Sequence, residues 1–118
     1  MADQFLDNWT IQLRKGLLEF CILNSLSSEK VYGYDIVRKL RNIEHLVISE
    51  GTIYPILSRL KRDGLVDTSL EESSEGPARK YYQLTTRGIE LLLQMNGIWR
   101  RVLDGVQQIQ SQKGVSQK

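Results

Sequence analysis

The chain has 118 residues, of which 41% are hydrophobic and 25% charged, and a formal net charge of +2. This length supports one domain with a modest core, and the weak positive charge excludes a histone-like tail, so a nucleic-acid role must depend on where the charges lie. Cys21 is the only cysteine, which excludes an intrachain disulfide, and its apolar neighbours predict a buried structural thiol. The sequence has no run of about 18 apolar residues and no signal-peptide pattern, so we expect a cytoplasmic protein with no membrane partner.

Two helices are predicted in the first third of the chain. Residues 3 to 26 carry apolar side chains at helical spacing, which predicts one long amphipathic helix. A polar break at residues 27 to 30 follows it. Gly33–Leu40 resumes the helical pattern and predicts a second helix of about three turns.

A third helix is predicted from Ser49, a candidate N-cap, to about Asp63. Gly64 follows it and suits the left-handed position that often ends a helix. The apolar side chains of this helix follow i, i+3, i+4, i+7 spacing and share a face that we expect to be core. They are Ile53, Ile56, Leu57 and Leu60.

Pro55 lies inside this third helix, although proline lacks the N–H that a regular helical bond requires. If Thr52 caps the regular part of the helix, Pro55 falls in the first turn and no bond is lost. If Ser49 is the cap, Pro55 removes the bond to the Gly51 carbonyl and kinks the start. The sequence leaves both alternatives open.

A β-hairpin is predicted after the third helix. Leu65–Leu70 and Lys80–Leu84 are short β-favouring runs. Between them, residues 71 to 77 form a polar stretch with a Gly-Pro pair, which predicts a flexible tip.

A long final helix is predicted after Thr85 or Thr86, either of which can cap it. Its apolar residues alternate three and four apart, as in a heptad seam. The seam consists of Leu92, Met95, Trp99, Val102, Val106 and Ile109. Because it extends past what a small three-helix body could cover, we expect it to pack against a second copy of the chain.

The order helix, helix, helix, hairpin, helix predicts a winged helix-turn-helix fold, mainly α with a small β-hairpin. We expect a winged-helix domain over residues 1–85, a dimerisation helix over 86–112 and a disordered tail over 113–118.

Four motifs occur in order along the chain: Arg14–Gly16, Tyr32–Ile36, the GTIYPIL run Gly51–Leu57 with Leu60 and Asp63–Leu65, and Arg79–Thr85. Together they resemble the PadR-like family of transcriptional regulators, and the resemblance covers roughly residues 13 to 103. The chain length resembles the short, LmrR-like subfamily. The resemblance implies a homodimeric repressor that binds double-stranded DNA, with its dimer formed by the first and last helices, including Leu6 and Trp9.

The outward face of the third helix is the first candidate DNA-binding surface. A helical wheel places Gly51, Pro55, Ser58 and Arg62 opposite the core stripe, with Tyr54, Arg59 and Lys61 beside them. Small residues, hydroxyl groups and cations suit a helix in a major groove, although an ordinary solvated face has a similar composition.

Further DNA-binding candidates follow from the resemblance. Thr52 and Tyr54 are expected to contact bases or phosphates, and Arg59 and Arg62 to hold the backbone. The other candidates are Arg14 and Lys15 on the first helix, Tyr34 on the second, and Arg79 and Lys80 in the wing. Tyr34 is equally compatible with a core or rim tyrosine, and the wing cations with protection of a strand edge.

The resemblance also suggests a small-molecule effector. Trp99 matches a tryptophan that stacks on flat aromatic drugs in LmrR-like relatives, and Trp9 is a candidate to enclose the same space. The alternative is that Trp99 is an aromatic residue of the dimer core with no ligand.

No catalytic residues, metal ligands or cofactor motif are identified, so we expect a protein that is not an enzyme. Two other functions stay open. The winged helix could be a protein-interaction module with the heptad helix as its adhesive surface, or a small-molecule sensor without operator binding.

Overall fold

Four helices and a three-stranded antiparallel sheet form the described part of the chain, residues 3–46 and 49–112 of the computed structural model. The predicted mainly α fold with a wing is confirmed. The elements are α1 (Gln4–Ser25), β1 (Val31–Tyr32), α2 (Gly33–Arg41), α3 (Glu50–Arg62), β2 (Val66–Ser73), β3 (Gly76–Leu84) and α4 (Thr86–Gln112). The predicted tail at 113–118 lies outside the described residues.

The helix ends follow local chemistry that the sequence indicates. The Asp3 carboxylate accepts a 2.8 Å hydrogen bond from the Phe5 amide and caps α1. Gly64 has a φ of 82° after α3, the left-handed conformation predicted for it. Thr85 is the cap of α4, because its hydroxyl accepts a 3.0 Å bond from the Gly88 amide.

Ser49, rather than Thr52, precedes the first turn of α3. Its backbone is extended, with φ −130° and ψ 161°, and the amides of Thr52 and Ile53 each donate to its carbonyl at 3.1 Å. Pro55 therefore lies one turn inside the helix, where it removes the bond to the Gly51 carbonyl. The Ser49 side chain makes no backbone cap bond, and its hydroxyl lies 3.1 Å from that of Thr52.

The sheet differs from the prediction in two respects. Its strand order is β1-β3-β2, and the two-residue β1 was not predicted because so short a run carries no periodic signal. The predicted loop at 71–77 is also wrong in extent, since β2 reaches Ser73 and β3 restarts at Gly76. Glu71 pairs with Arg79 and Ser73 with Gly76, with an irregularity between Glu71 and Ser73, so cross-strand pairing extends into this polar segment.

The apolar core lies between α1, α2, α3, the sheet and the start of α4. Ile53, Leu57 and Leu60 of α3 are fully buried, as predicted, whereas Ile56 is only half-buried. Leu92 joins the same cluster with 4% exposure. The largest fully buried side chains belong to α1, α2, α3 and β2 and comprise Ile22, Leu23, Ile36, Val37, Ile53, Leu57, Leu60 and Val66.

Gly88 fixes the start of α4 against the loop before β2. A Cβ atom at this position would lie 2.1 Å from the carbonyl oxygen of Leu65. The Thr85 amide donates to that same carbonyl at 3.0 Å, and the Thr85 hydroxyl donates to the Gly64 carbonyl at 2.7 Å. Only glycine permits so close an approach, so α4 leaves the domain in one defined direction.

The sequence predicts a buried Cys21, but the structure shows this residue half-buried. Burial raises the pKa of its thiol, which keeps the thiolate scarce at neutral pH. Its role is therefore packing.

Candidate nucleic-acid interface

The outward face of α3 carries small, hydroxyl-bearing and cationic groups. Gly51, Pro55, Ser58 and Arg62 are exposed, on the side opposite the buried stripe. Among the residues that the structure describes, none forms an ion pair with Arg62. This face leaves room for close approach of another molecule and presents a cation to it.

Tyr54 faces the beginning of α2 rather than open solvent. Gly33 allows this contact, because a Cβ there would lie 3.1 Å from Cε1 of Tyr54 and 3.1 Å from Cε1 of Tyr82. Burial, followed by the negative charge of Glu50, raises the pKa of Tyr54, so its phenol stays protonated at neutral pH. Tyr54 thus joins α3 to α2 and keeps a hydroxyl that can donate or accept a hydrogen bond.

Arg79 and Lys80 are neighbours on β3 and project from opposite faces of the wing. Lys80 shares its face with the buried Tyr82, whereas Arg79 shares the outer face with Tyr81. The Arg79 guanidinium carbon lies 4.8 Å from the centroid of the Tyr32 ring. The structure therefore brings the Arg79 guanidinium to Tyr32, which directly precedes α2.

Tyr34 completes this surface at the first turn of α2. It is 39% exposed, and its ring centroid lies 6.5 Å from that of Tyr32. Tyr34, Tyr54 and Arg79 are thus connected through the segment Tyr32–Gly33, although they come from three separate elements.

Two of the predicted phosphate-binding arginines have partners inside the subunit. Nη2 of Arg59 lies 3.1 Å from Oε2 of Glu19 on α1, and this bond raises the pKa of Arg59. Nε of Arg14 donates to the His45 carbonyl at 2.7 Å. His45 adopts a left-handed φ of 70°, uncommon for a residue other than glycine, and its carbonyl accepts the bond from Arg14. Lys15 is exposed on α1.

The predicted effector residues line different cavities within one subunit. Trp99 packs against Phe20 with ring centroids 5.7 Å apart and ring planes tilted by 44°, and it borders two apolar cavities of about 230 and 260 Å³. Trp9 instead lines a cleft of about 830 Å³ with Leu6 and His45.

The predicted dimer seam is apolar and largely exposed beyond its first residue. Leu92 packs in the subunit core and is not accessible to a partner, and Met95 is half-buried. The exposed seam residues are Trp99, Val102, Val106 and Ile109, and the exposed apolar residues of α1 include Phe5, Leu6 and Trp9.

A sequence model described as the transcriptional regulator PadR-like family matches residues 22–94. The chain belongs to this family. As a PadR-like chain it is a transcriptional regulator and not an enzyme.

Individual relatives agree with this assignment. A PadR-like transcriptional regulator from Bacillus cereus is 42% identical, with a TM-score of 0.76 over 83% of this chain and 95% of its own. The transcriptional regulator Rv3488 of Mycobacterium tuberculosis is 30% identical over 98 residues, 80% of this chain and 90% of its own. Bacillus subtilis PadR, solved in complex with operator DNA, is 26% identical with a TM-score of 0.58, over 66% of this chain and 45% of its own.

Sequence reasoning missed two residues of this PadR-like surface, Tyr32 and Glu19. Tyr32 stood within a recognised motif, but its position beside Arg79 depends on pairing between β1 and β3. Glu19 pairs with a residue 40 positions away, and no local pattern indicates such a contact.

No helix within residues 3–46 and 49–112 combines the length and hydrophobicity needed to cross a lipid bilayer.

Proposed function

We propose that this PadR-like regulator is a homodimeric repressor that binds a near-palindromic DNA operator through α3 and the wing. The observation that carries the proposal is the division of α3 into a fully buried apolar face and an exposed face with Gly51, Ser58 and Arg62. An α-helix fits the major groove, about 12 Å wide, when its outer face is small and bears donors and cations.

The surface beside α3 supports the same function. Tyr34, Tyr54 and Arg79 lie together there, so a duplex against α3 would also meet the beginning of α2 and the wing. Hydroxyl groups and arginines are common donors to phosphate oxygens. The operator complex of Bacillus subtilis PadR supports the assignment of DNA as the partner.

The exposed seam of α4 supports a homodimer. Val102 is 56% exposed and Ile109 is 64% exposed, a continuous apolar stripe that solvent does not favour. A second copy would bury it symmetrically against the same stripe and the apolar residues of α1. The two winged-helix domains, related by a twofold axis, would then contact operator half-sites about one helical turn apart.

An aromatic effector is proposed for the space around Trp99. Each cavity beside Trp99 is smaller than the roughly 300 Å³ at which ligand pockets begin, and both share Leu17 and Phe20 as lining residues. A second subunit would enlarge and enclose this space. A ligand there would relieve repression only as far as its affinity differs between the two dimer states.

A protein-interaction role for α3 is less well supported. Protein-binding surfaces are enriched in aromatic side chains and Met at their centre, whereas the centre of the α3 face is formed by Gly51, Pro55 and Ser58.

Selection from random DNA duplexes tests the operator proposal. We expect enrichment of a near-palindrome, and Tyr54→Phe or Thr52→Val should relax specificity at particular base pairs. Failure to enrich any sequence would contradict the proposal. Equal weakening on enriched and random duplexes would reassign both side chains to phosphate contact.

Tryptophan fluorescence tests the effector proposal separately. A flat aromatic compound should quench emission from Trp9→Phe protein, in which Trp99 remains, and a saturating dose should lower affinity for the enriched duplex. Quenching confined to Trp99→Phe protein would place the ligand at Trp9 instead.

A further inference from the structure

Tyr32 lies at the centre of a cluster of tilted aromatic rings and one guanidinium, which joins the wing to the beginning of α2. Its ring centroid is 5.9 Å from that of Tyr81 and 6.5 Å from that of Tyr34, and the Arg79 guanidinium carbon is 4.8 Å from it. We infer that Tyr32 is a positioning residue, which holds Arg79 in a fixed orientation for binding phosphate oxygens of the operator. The inference rests on the proposed function, and it assigns the two-residue β1 a role in that function.

The sheet register explains why these groups meet. Tyr32 pairs directly with Tyr81, and Arg79 lies two residues before Tyr81 on the same face of β3. Diagonal neighbours on one face of a sheet are about 7–8 Å apart, within reach of a long side chain. Arg79 therefore extends across the Tyr32 ring, and β1 supplies the ring at that point.

A competing partner for Arg79 is removed by Lys30. Glu71 stands opposite Arg79 in the β2–β3 register, where a carboxylate could attract the guanidinium. The Glu71 carboxylate is bonded to the Lys30 ammonium, which itself lies 5.6 Å from the centroid of the Tyr81 ring. With its carboxylate neighbour paired, Arg79 lies against an uncharged ring and its positive charge remains available to DNA.

A cation–π contact with Tyr32 does not itself use the hydrogen-bond donors of Arg79. A guanidinium stacks through its flat face, while its five N–H donors point outward in its own plane and match phosphate oxygens. A side chain already held in one orientation also loses less conformational freedom when it binds. A lysine ammonium is compact and strongly hydrated, so it would keep the charge of Arg79 without this geometry.

The alternative is that Tyr32 only supports the sheet, with no consequence for Arg79. A double-variant comparison separates the two roles, because a supporting residue affects binding whatever stands at position 79. Tyr32→Phe keeps the aromatic face, Tyr32→Leu removes it, and Arg79→Lys keeps the charge while leaving the ring in place.

Affinity should be measured by fluorescence anisotropy, with the duplex enriched in the selection and a random-sequence duplex of equal length. Tyr32→Phe should bind as the wild type does, and Tyr32→Leu and Arg79→Lys should each weaken both duplexes about two- to fivefold. In the Arg79→Ala background, Tyr32→Leu should cause no further loss. An equal loss in that background, or wild-type affinity for Arg79→Lys, would overturn the inference.

NMR of the DNA-free protein supplies a direct geometric readout. The Tyr32 ring current should shift the side-chain protons of Arg79 upfield in the wild type and in Tyr32→Phe, and Tyr32→Leu should abolish the shift. Absence of the shift in the wild type overturns the inference alone. If the wild-type protein binds no duplex, both the proposed function and the inference are overturned. If the wild type binds but Arg79→Ala binds equally well, only the inference is overturned.

Discussion

Helices α3 and α4 each carry an apolar stripe at helical spacing, but their stripes have different surroundings. In α3, Ile53, Leu57 and Leu60 have no exposure, because α2 and β2 cover them. In α4, exposure rises from 4% at Leu92 to 64% at Ile109 as the helix leaves the domain. Periodicity thus predicts that a stripe exists, while the length of the neighbouring elements decides whether the subunit itself can bury it.

The largest expected loss of stability is at the buried stripe of α3. Leu57→Ala should lower the free energy of unfolding by about 2–5 kcal/mol, because it leaves a cavity in a packed core. Chemical denaturation at two protein concentrations measures this. A loss below about 1 kcal/mol would contradict full burial of the α3 stripe.

Substitution of Gly88, at the junction where α4 leaves the domain, should lower stability nearly as much. Gly88→Ala forces a methyl group toward the Leu65 carbonyl and should cost about 1–3 kcal/mol. Gly97→Ala is the matched control in the same helix, since its Cβ would approach only the flexible Arg101 side chain, at 3.4 Å. That substitution should stabilise by up to about 1 kcal/mol. Equal effects at both glycines would mean that the start of α4 is not fixed by this contact.

The ion pair between α3 and α1 should contribute less to stability. Glu19 and Arg59 retain 32% and 43% side-chain exposure, so Glu19→Gln should cost at most about 1 kcal/mol, and less at high salt. A double-mutant cycle with Arg59→Gln tests the pairing. If the two single costs simply add, the pair makes no net contribution to stability.

The exposed stripe should matter least for unfolding of the subunit and most for association. Val102→Lys should change the stability of the separate subunit by less than about 0.5 kcal/mol, because its side chain contacts mostly solvent. Sedimentation velocity should nevertheless show a shift from dimer to monomer. Gln108→Lys, also exposed on α4, is the control and should leave the dimer unchanged. A monomeric wild type, or equal effects of both variants, would contradict the dimer proposal.

Most of the fold could be predicted because its helices have local signals. Asp3, Gly64 and Thr85 cap or end helices through contacts within a few residues, and the α3 stripe follows from spacing alone. The extent of the wing could not be predicted, because Glu71 and Ser73 pair across strands despite a loop-like composition. Local composition describes what a residue favours, and pairing partners can override it.

The exposure of the α3 face could be predicted from spacing, but the contacts around it could not. The exposed face of α3 was predicted correctly, including Gly51, Ser58 and Arg62. The partners of Arg59 and Arg14 are 40 and 31 residues away, and the position of Tyr32 beside Arg79 requires a sheet register. These contacts arise only when the chain has folded, so spacing within one helix does not indicate them.

The most direct test of the account is the salt dependence of affinity for the enriched duplex, compared between Arg62→Ala and Arg100→Ala. Both arginines are exposed, but Arg62 lies on the outer face of α3 and Arg100 on α4. We predict that Arg62→Ala lowers the slope of log affinity against log salt by about one, the loss of one phosphate contact, while Arg100→Ala leaves it unchanged. An unchanged slope for Arg62→Ala, or an equal decrease for both variants, would contradict the assignment of α3 as the DNA-binding helix.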